Sequence, residues 1–154
     1  MIRLIDRTSN DELEQLWLMQ HAAYRVEANL IGFKALPPLM ETKKQLREVP
    51  EIFYGYFNES ELQGALSLEK NMDNITICRV MVDPDHFGKS IASQLLQHIM
   101  NIFHSYLIKV STSELNEPAI KLYTKHGFVL DSKTVLSAKI SLVHLKKISQ
   151  HTKS

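Results

Sequence analysis

Apolar and polar residues recur along this chain in two periods, and each change of period marks a new element. Residues 1 to 5, Met-Ile-Arg-Leu-Ile, alternate with period two and predict a first strand. Ser9-Asn10-Asp11-Glu12 then offers a capping box, after which Leu13, Leu16, Trp17, Gln20, Tyr24 and Glu27 trace one mostly apolar stripe. A helix to about Ala28 follows from that spacing. The next eleven residues, Asn29 to Leu39, are irregular and apolar and contain Gly32, Pro37 and Pro38. Connecting segments are usually polar, so this one either covers a pocket or packs as the lead-in to a second helix. A short helix from Glu41 to about Val49 stops before Pro50.

Three short runs of period two come next, Ile52 to Phe57, Leu62 to Glu69 and Ile75 to Val82, joined by Asn58–Glu61 and Lys70–Asn74. They predict an antiparallel meander. Apolar residues at 91, 92, 95, 96, 99, 102 and 103 return to the helical period over about 89 to 104. Leu107 to Ser111 is then a strand that a helical crossover places parallel to 75–82. Asn116 as N-cap, Pro118 in the first turn and Gly127 as a left-handed stop bound another short helix. Phe128 opens a further strand, and Ala138 to Lys146 alternates as the last. The sum is an α/β (α+β) fold, a mixed and mostly antiparallel sheet of about seven strands flanked by about four helices.

The most informative stretch is 77–98. A strand, Ile77 to Val82, ends at Asp83-Pro84, and a helix begins after Phe87-Gly88-Lys89-Ser90. A strand that passes through a glycine loop into a helix gathers unpaired N–H groups and the positive end of the helix dipole at one point. Such a point binds phosphate or pyrophosphate. Gly88-Lys89-Ser90 suggests a P-loop, but the glycine required five residues earlier is Asp83. A dinucleotide fold fails as well, for lack of G-x-G-x-x-G.

Val82-Asp83-Pro84 and Phe87 to Ala92 resemble, in place and length, the coenzyme A loop of the GNAT acyltransferase superfamily, a V-x-P-like turn followed by Q/R-x-x-G-x-G/A. Phe87 stands where Arg or Gln is usual and Ser90 where Gly is usual, while Ala92 fits. Main-chain groups do most of the anion binding, so the Phe87 change removes little; Ser90 is strained only if its φ is positive. Asn116-Glu117-Pro118-Ala119-Ile120-Lys121-Leu122-Tyr123-Thr124-Lys125-His126-Gly127-Phe128 is similar to the second GNAT motif, N-x-x-A-x-x-L-Y-x-x-x-G-F, at all its defined positions.

This resemblance implies acetyl-CoA as co-substrate, bound by Val80, Met81, Val82, Phe87, Gly88, Lys89, Ser90, Ile91, Ala92, Ser93, Asn116 and Tyr123. It implies that the parallel strands 75–82 and 107–111 splay around the pantetheine arm. It also makes Tyr123 the proton donor to the coenzyme A sulfur, and it places the apolar 29–39 segment over the substrate pocket. Where many members carry a basic Glu, this chain has Cys78, which reads as a core residue because a thiol of pKa about 8.5 is a poor base. Glu69, Glu114 and His86 remain as base candidates, and Lys89, Lys121 and Lys125 as partners for phosphate. A base or a water wire is useful because an alkyl ammonium, of pKa about 10.4, is almost wholly charged at pH 7.

Composition narrows the classes further. The chain has 154 residues and a net charge of +1, with 44% hydrophobic and 23% charged residues. That length reads as one domain, 1–148, with a polar tail at 149–154. The near-neutral balance argues against a nucleic-acid surface. With a single Cys and seven scattered His, no disulfide and no metal site are expected. No apolar run of about 18 residues occurs and none follows Met1, so no membrane contact and a cytoplasmic location are expected. The expected function is N-acetyl transfer to a primary amine of a small molecule or peptide, with a homodimer possible. The alternative is a GNAT-like module that binds acyl-CoA without turnover.

Overall fold

The computed structural model describes residues 1–33 and 36–148. In chain order these form β1 (Ile2–Leu4), α1 (Asn10–Ile31), α2 (Pro37–Met40), α3 (Lys43–Glu48), β2 (Ile52–Asn58), β3 (Glu61–Lys70) and β4 (Asn74–Val82). A 3₁₀ turn (Pro84–His86) leads to α4 (Ile91–Ile102), β5 (Leu107–Ser113), α5 (Glu117–Lys125), β6 (Val129–Val135) and β7 (Ser141–Lys147). There are thus five α-helices among the described residues rather than about four. The addition is α2, which Pro37 and Pro38 open inside the apolar segment expected to be irregular. The expected tail at 149–154 lies outside the described residues.

Local chemistry accounts for most boundaries and for the misses. Helix α1 runs past Ala28 to Ile31, because Gly32 takes the left-handed φ of 72° that closes it. Only half of the predicted capping box forms there: Ser9 Oγ accepts from Glu12 N–H at 3.3 Å. The Glu12 carboxylate instead accepts from Asp6 N–H and from Arg3, 3.0 Å each. The complete box belongs to α3, between Thr42 and Gln45. Strand β7 begins at Ser141, three residues later than expected.

All seven strands join one sheet in the order β1-β2-β3-β4-β5-β7-β6. Every neighbouring pair is antiparallel except β4 and β5, the parallel pair that the crossover through α4 demands. A core packs on each face. On one side Leu66, Leu68, Ile75 and Ile77 meet Ile91, Leu95, Leu96 and Ile99 of α4 and Tyr123 of α5. On the other, Phe53, Phe57, Ala65 and Met81 meet Leu13, Leu16 and Met19 of α1 and Leu46 of α3.

Two irregularities set up the site. The β3–β4 register shifts between Ser67 and Leu68, so β4 carries an extra residue at Cys78. A bulge of this kind reverses which face later side chains take. Ile75 and Ile77 therefore point towards α4, whereas Arg79 and Met81 point towards α1. The second irregularity is the parallel pairing itself, which stops at Ile77↔Val110. Beyond it, β4 from Cys78 to Val82 and β5 from Ser111 to Ser113 have separated.

Gly64 fixes α4 against the sheet. A Cβ there would lie 2.5 Å from Ile91 Cγ2 and 3.3 Å from the Met81 carbonyl oxygen, and Ile91 is the first residue of α4. Gly64→Ala is therefore expected to cost about 1–3 kcal/mol by overpacking. A thermal melt should show a fall of about 5 °C; an unchanged midpoint would mean that α4 is free to move away.

Candidate active site

The parted strands open into a cleft of about 1140 Å³. Its floor at one end is the strand-to-helix loop. Gly88 has φ 85° and Ser90 φ 59°, so Ser90 does occupy the left-handed region that the family pattern fills with glycine. That conformation costs a non-glycine residue roughly 1–2 kcal/mol. Its side chain makes no cap to α4. The main-chain N–H groups of Gly88, Lys89, Ser90, Ile91, Ala92 and Ser93 consequently meet no acceptor among the described residues. The N–H of Phe87, expected to belong to this set, is instead donated to the Pro84 carbonyl at 3.3 Å, because the 3₁₀ turn claims it. What remains is a ring of free donors at a helix N-terminus, a fitting receptor for a pyrophosphate.

The wall beside the loop comes from β4. Asp83 N–H is donated to the Gln63 carbonyl on β3 at 2.9 Å. Alternation along the strand then turns the main-chain groups of Val82 and Val80 the other way, into the opening. The opposite wall is α5. Asn116 accepts from Ala119 N–H at 3.2 Å as its N-cap, is 7% exposed and borders the cleft. Ser93 Oγ meets His126 Nε2 at 2.6 Å, tying the start of α4 to the end of α5. Burial, with Lys125 and Lys147 nearby, keeps the His126 imidazole below its ordinary pKa.

Tyr123 borders the same cleft, 4% exposed and packed against Phe128 at 5.6 Å between ring centroids. Burial, reinforced by the charge of Glu27, pushes its phenol above the ordinary value, so it holds its proton at neutral pH. Of the residues named from the sequence, Val80, Met81, Val82, Phe87, Gly88, Ser90, Ile91, Ala92, Ser93, Asn116 and Tyr123 all line the cleft; Lys89 does not. Lys89 Nζ lies 2.8 Å from His86 Nδ1 instead. Lys121 and Lys125 are on the lining of the cleft as well.

The base candidates fare differently. Glu69 is exposed and off the cleft. Glu114 is exposed and bound to Lys133 at 2.5 Å. His86 is on the cleft, but in the turn that precedes the donor loop, 3.6 Å from Glu61. Cys78 is not core: the bulge leaves it exposed at the mouth of the splay. Although the residue is exposed as a whole, its sulfur is partly withdrawn from water, and this together with the charges of Glu51 and Glu69 pushes the thiol up to about 11, which leaves it protonated at neutral pH. Donor atoms of Glu51, Glu69 and Cys78 lie within 4.8 Å of one another. Glu51, however, is already bound by Ser67 Oγ and Arg79.

One structural element of the site escaped the sequence reading. Arg79, turned by the bulge towards α1, donates from all its guanidinium nitrogens. Nε and Nη2 reach Glu51 at 2.9 and 3.1 Å, Nη1 and Nη2 reach Glu41 at 2.6 and 3.1 Å, and Nη1 reaches Gln20 at 2.8 Å. Gln20 in turn donates to Glu41 and to the Pro38 carbonyl, and Trp17 Nε1 to the Glu41 carbonyl. This network clamps the end of α2 to the sheet. The residues ahead of it, Leu30, Ile31, Phe33, Leu36, Pro37 and Pro38, line the cleft, as expected for a segment covering a pocket.

Compared with known proteins, residues 11–128 match the family model described as Acetyltransferase (GNAT) family. The chain belongs to that family. GNAT proteins of known structure share its fold. The ribosomal-protein-S18-alanine N-acetyltransferase from Escherichia coli superimposes with a TM-score of 0.76 at 15% identity, over 97% of this chain and 94% of that one. The PaiA N-acetyltransferase from Thermoplasma acidophilum, in complex with coenzyme A, gives 0.73 at 17% identity, over 94% and 98%. A curated relative, the UPF0157 protein YqkA of Bacillus subtilis (strain 168), is 37% identical over 149 residues. This GNAT chain spans 94% of its own length in that alignment but 43% of the relative. No helix of the described residues is long and apolar enough to cross a membrane.

Proposed function

We propose that this GNAT chain is an N-acetyltransferase that moves an acetyl group from acetyl-CoA directly to a primary amine in a ternary complex. One observation supports this above the others: the free N–H groups of Gly88 and Ser90–Ser93, the parted edge of β4 and the phenol of Tyr123 all belong to the lining of one cleft. The loop donors would hold the pyrophosphate, Val80 and Val82 the amides of the pantetheine arm, and Asn116 the wall beside it. Acetyl-CoA supplies the activated thioester. The protein aligns the amine with it, excludes water with the α1–α2 segment, and offers the Tyr123 proton to the departing thiolate. A main-chain N–H of the parted strand can stabilise the oxyanion as the carbonyl becomes tetrahedral.

The test is release of free thiol from acetyl-CoA over a panel of amines, polyamines, aminoglycosides and peptides. Thiol release that depends on one class of amine upholds the reading. Tight binding of acetyl-CoA with no release over the whole panel would favour the acyl-CoA-binding module instead.

A further inference from the structure

The end of the cleft away from the Gly88–Ser93 loop has a composition of its own. Ala23, Tyr24, Glu27, Leu30 and Ile31 recur on one face of α1 at helical spacing, and all of them line the cleft. Large apolar side chains there are left uncovered by the fold: Leu30 is 50% exposed, Phe33 38% and, across the opening, Leu136 59%. Surface of this kind on a cleft wall is what an apolar ligand would cover.

Charge at this end comes from Arg79 and Glu27. Arg79 is consumed by Glu41 and Glu51. The other basic side chains on the cleft, His86, Lys121 and Lys125, sit on the turn and the helix that flank the donor loop, and the remaining titratable groups there, Tyr24, Tyr123 and Cys78, have pKa values raised by burial and are neutral at pH 7. Glu27 makes no hydrogen bond and no ion pair among the described residues, a costly state for a half-buried carboxylate. It lines the same cleft as Tyr24 and the proposed proton donor Tyr123, and its charge raises both phenols. Burial pushes its carboxyl above the ordinary range, towards the basicity a proton acceptor needs.

We propose that Glu27 binds the ammonium of the acceptor and takes its proton, and that the acceptor is a primary amine carried on an apolar body which covers Leu30, Phe33 and Leu136. The inference rests on acetyl transfer being the reaction. Protons then balance simply. The ammonium gives one proton to the Glu27 carboxylate, which passes it to solvent. The C–N bond forms as the C–S bond breaks, and the sulfur takes a proton from Tyr123, which recovers one from the amide nitrogen.

Glu27→Gln keeps the shape of the side chain and removes its charge. The CoA-saturated protein and this variant are titrated with phenethylamine and, as a polar polycation, with spermidine. Thiol release from acetyl-CoA is measured beside the binding, and a melt checks the fold. The unaltered protein should bind phenethylamine about tenfold more tightly than spermidine, and the variant should lose about tenfold in phenethylamine affinity with CoA affinity unchanged. Its kcat/KM for the amine should fall about 100-fold. Equal binding and turnover in the variant, a preference for spermidine, or no uptake of phenethylamine would overturn the inference. Glu27-dependent binding without any thiol release would uphold the ammonium site but overturn both the proton transfer to Glu27 and acetyl transfer itself. Turnover indifferent to Glu27 would do the reverse.

Discussion

Tyr123→Phe is expected to slow thiol release by about 100-fold, the lower range for loss of a positioned proton donor, while CoA affinity changes less than about twofold. The two readouts separate because of where the ring sits. Its aromatic body is core, packed on Phe128 beneath α5, and phenylalanine preserves that packing. Only the hydroxyl is lost, and the N–H donors that would hold the pyrophosphate belong to other elements, the loop before α4 and the first turn of α4. A phenol kept above its ordinary pKa by burial and by Glu27 stays protonated across the working range, so the difference between the two proteins should persist from pH 6 to 9. A variant with full activity would remove Tyr123 from the chemistry and leave thiolate discharge to solvent.

How far the site could be read without coordinates depended on which interactions set it. The donor loop and the Asn116–Phe128 helix are local: their caps, glycines and periodicity lie within a few residues of one another, and both elements formed, although the 3₁₀ turn claims the Phe87 N–H and Lys89 turns away from the cleft. The parallel pairing of β4 and β5 followed from the crossover rule. The bulge at Cys78 was not legible, because it arises from how β3 and β4 settle against one another and has no glycine or proline to announce it. Missing it misplaced Cys78 as core and hid Arg79, which a plain alternation would have left on the α4 face. Glu27 was visible as a member of the α1 stripe. Its solitude was not, since that depends on which cations approach from other elements.

Arg79→Ala should be the most damaging single change in stability, and it tests the clamp that ties the end of α2 to the sheet. The guanidinium and its two carboxylates are 10%, 14% and 11% exposed, so little solvent is at hand to replace the lost partner. Removing one member of such a set leaves uncompensated buried charge on Glu41 and Glu51, at a cost of about 3–5 kcal/mol. For a chain of this size that is a fall in melting temperature of about 10 °C, insensitive to salt because the pairs are not on the surface. The pH dependence carries a second mark of the same contacts. Burial alone would raise the Glu41 carboxyl, but hydrogen bonds from Arg79 and Gln20 outweigh it and hold the group below its ordinary 4.5. A lowered folded pKa gives stability that is complete above the unfolded value and is lost as pH falls through the folded one. The parent protein should therefore lose part of its stability on acidification below about pH 4.5, and Arg79→Ala should lack that contribution. Because Glu41 anchors the end of α2, the variant's surviving folded fraction should also bind amines poorly while still binding CoA. A melt within 2 °C of the parent's would show that the α1–α2 wall is held by its apolar contacts alone.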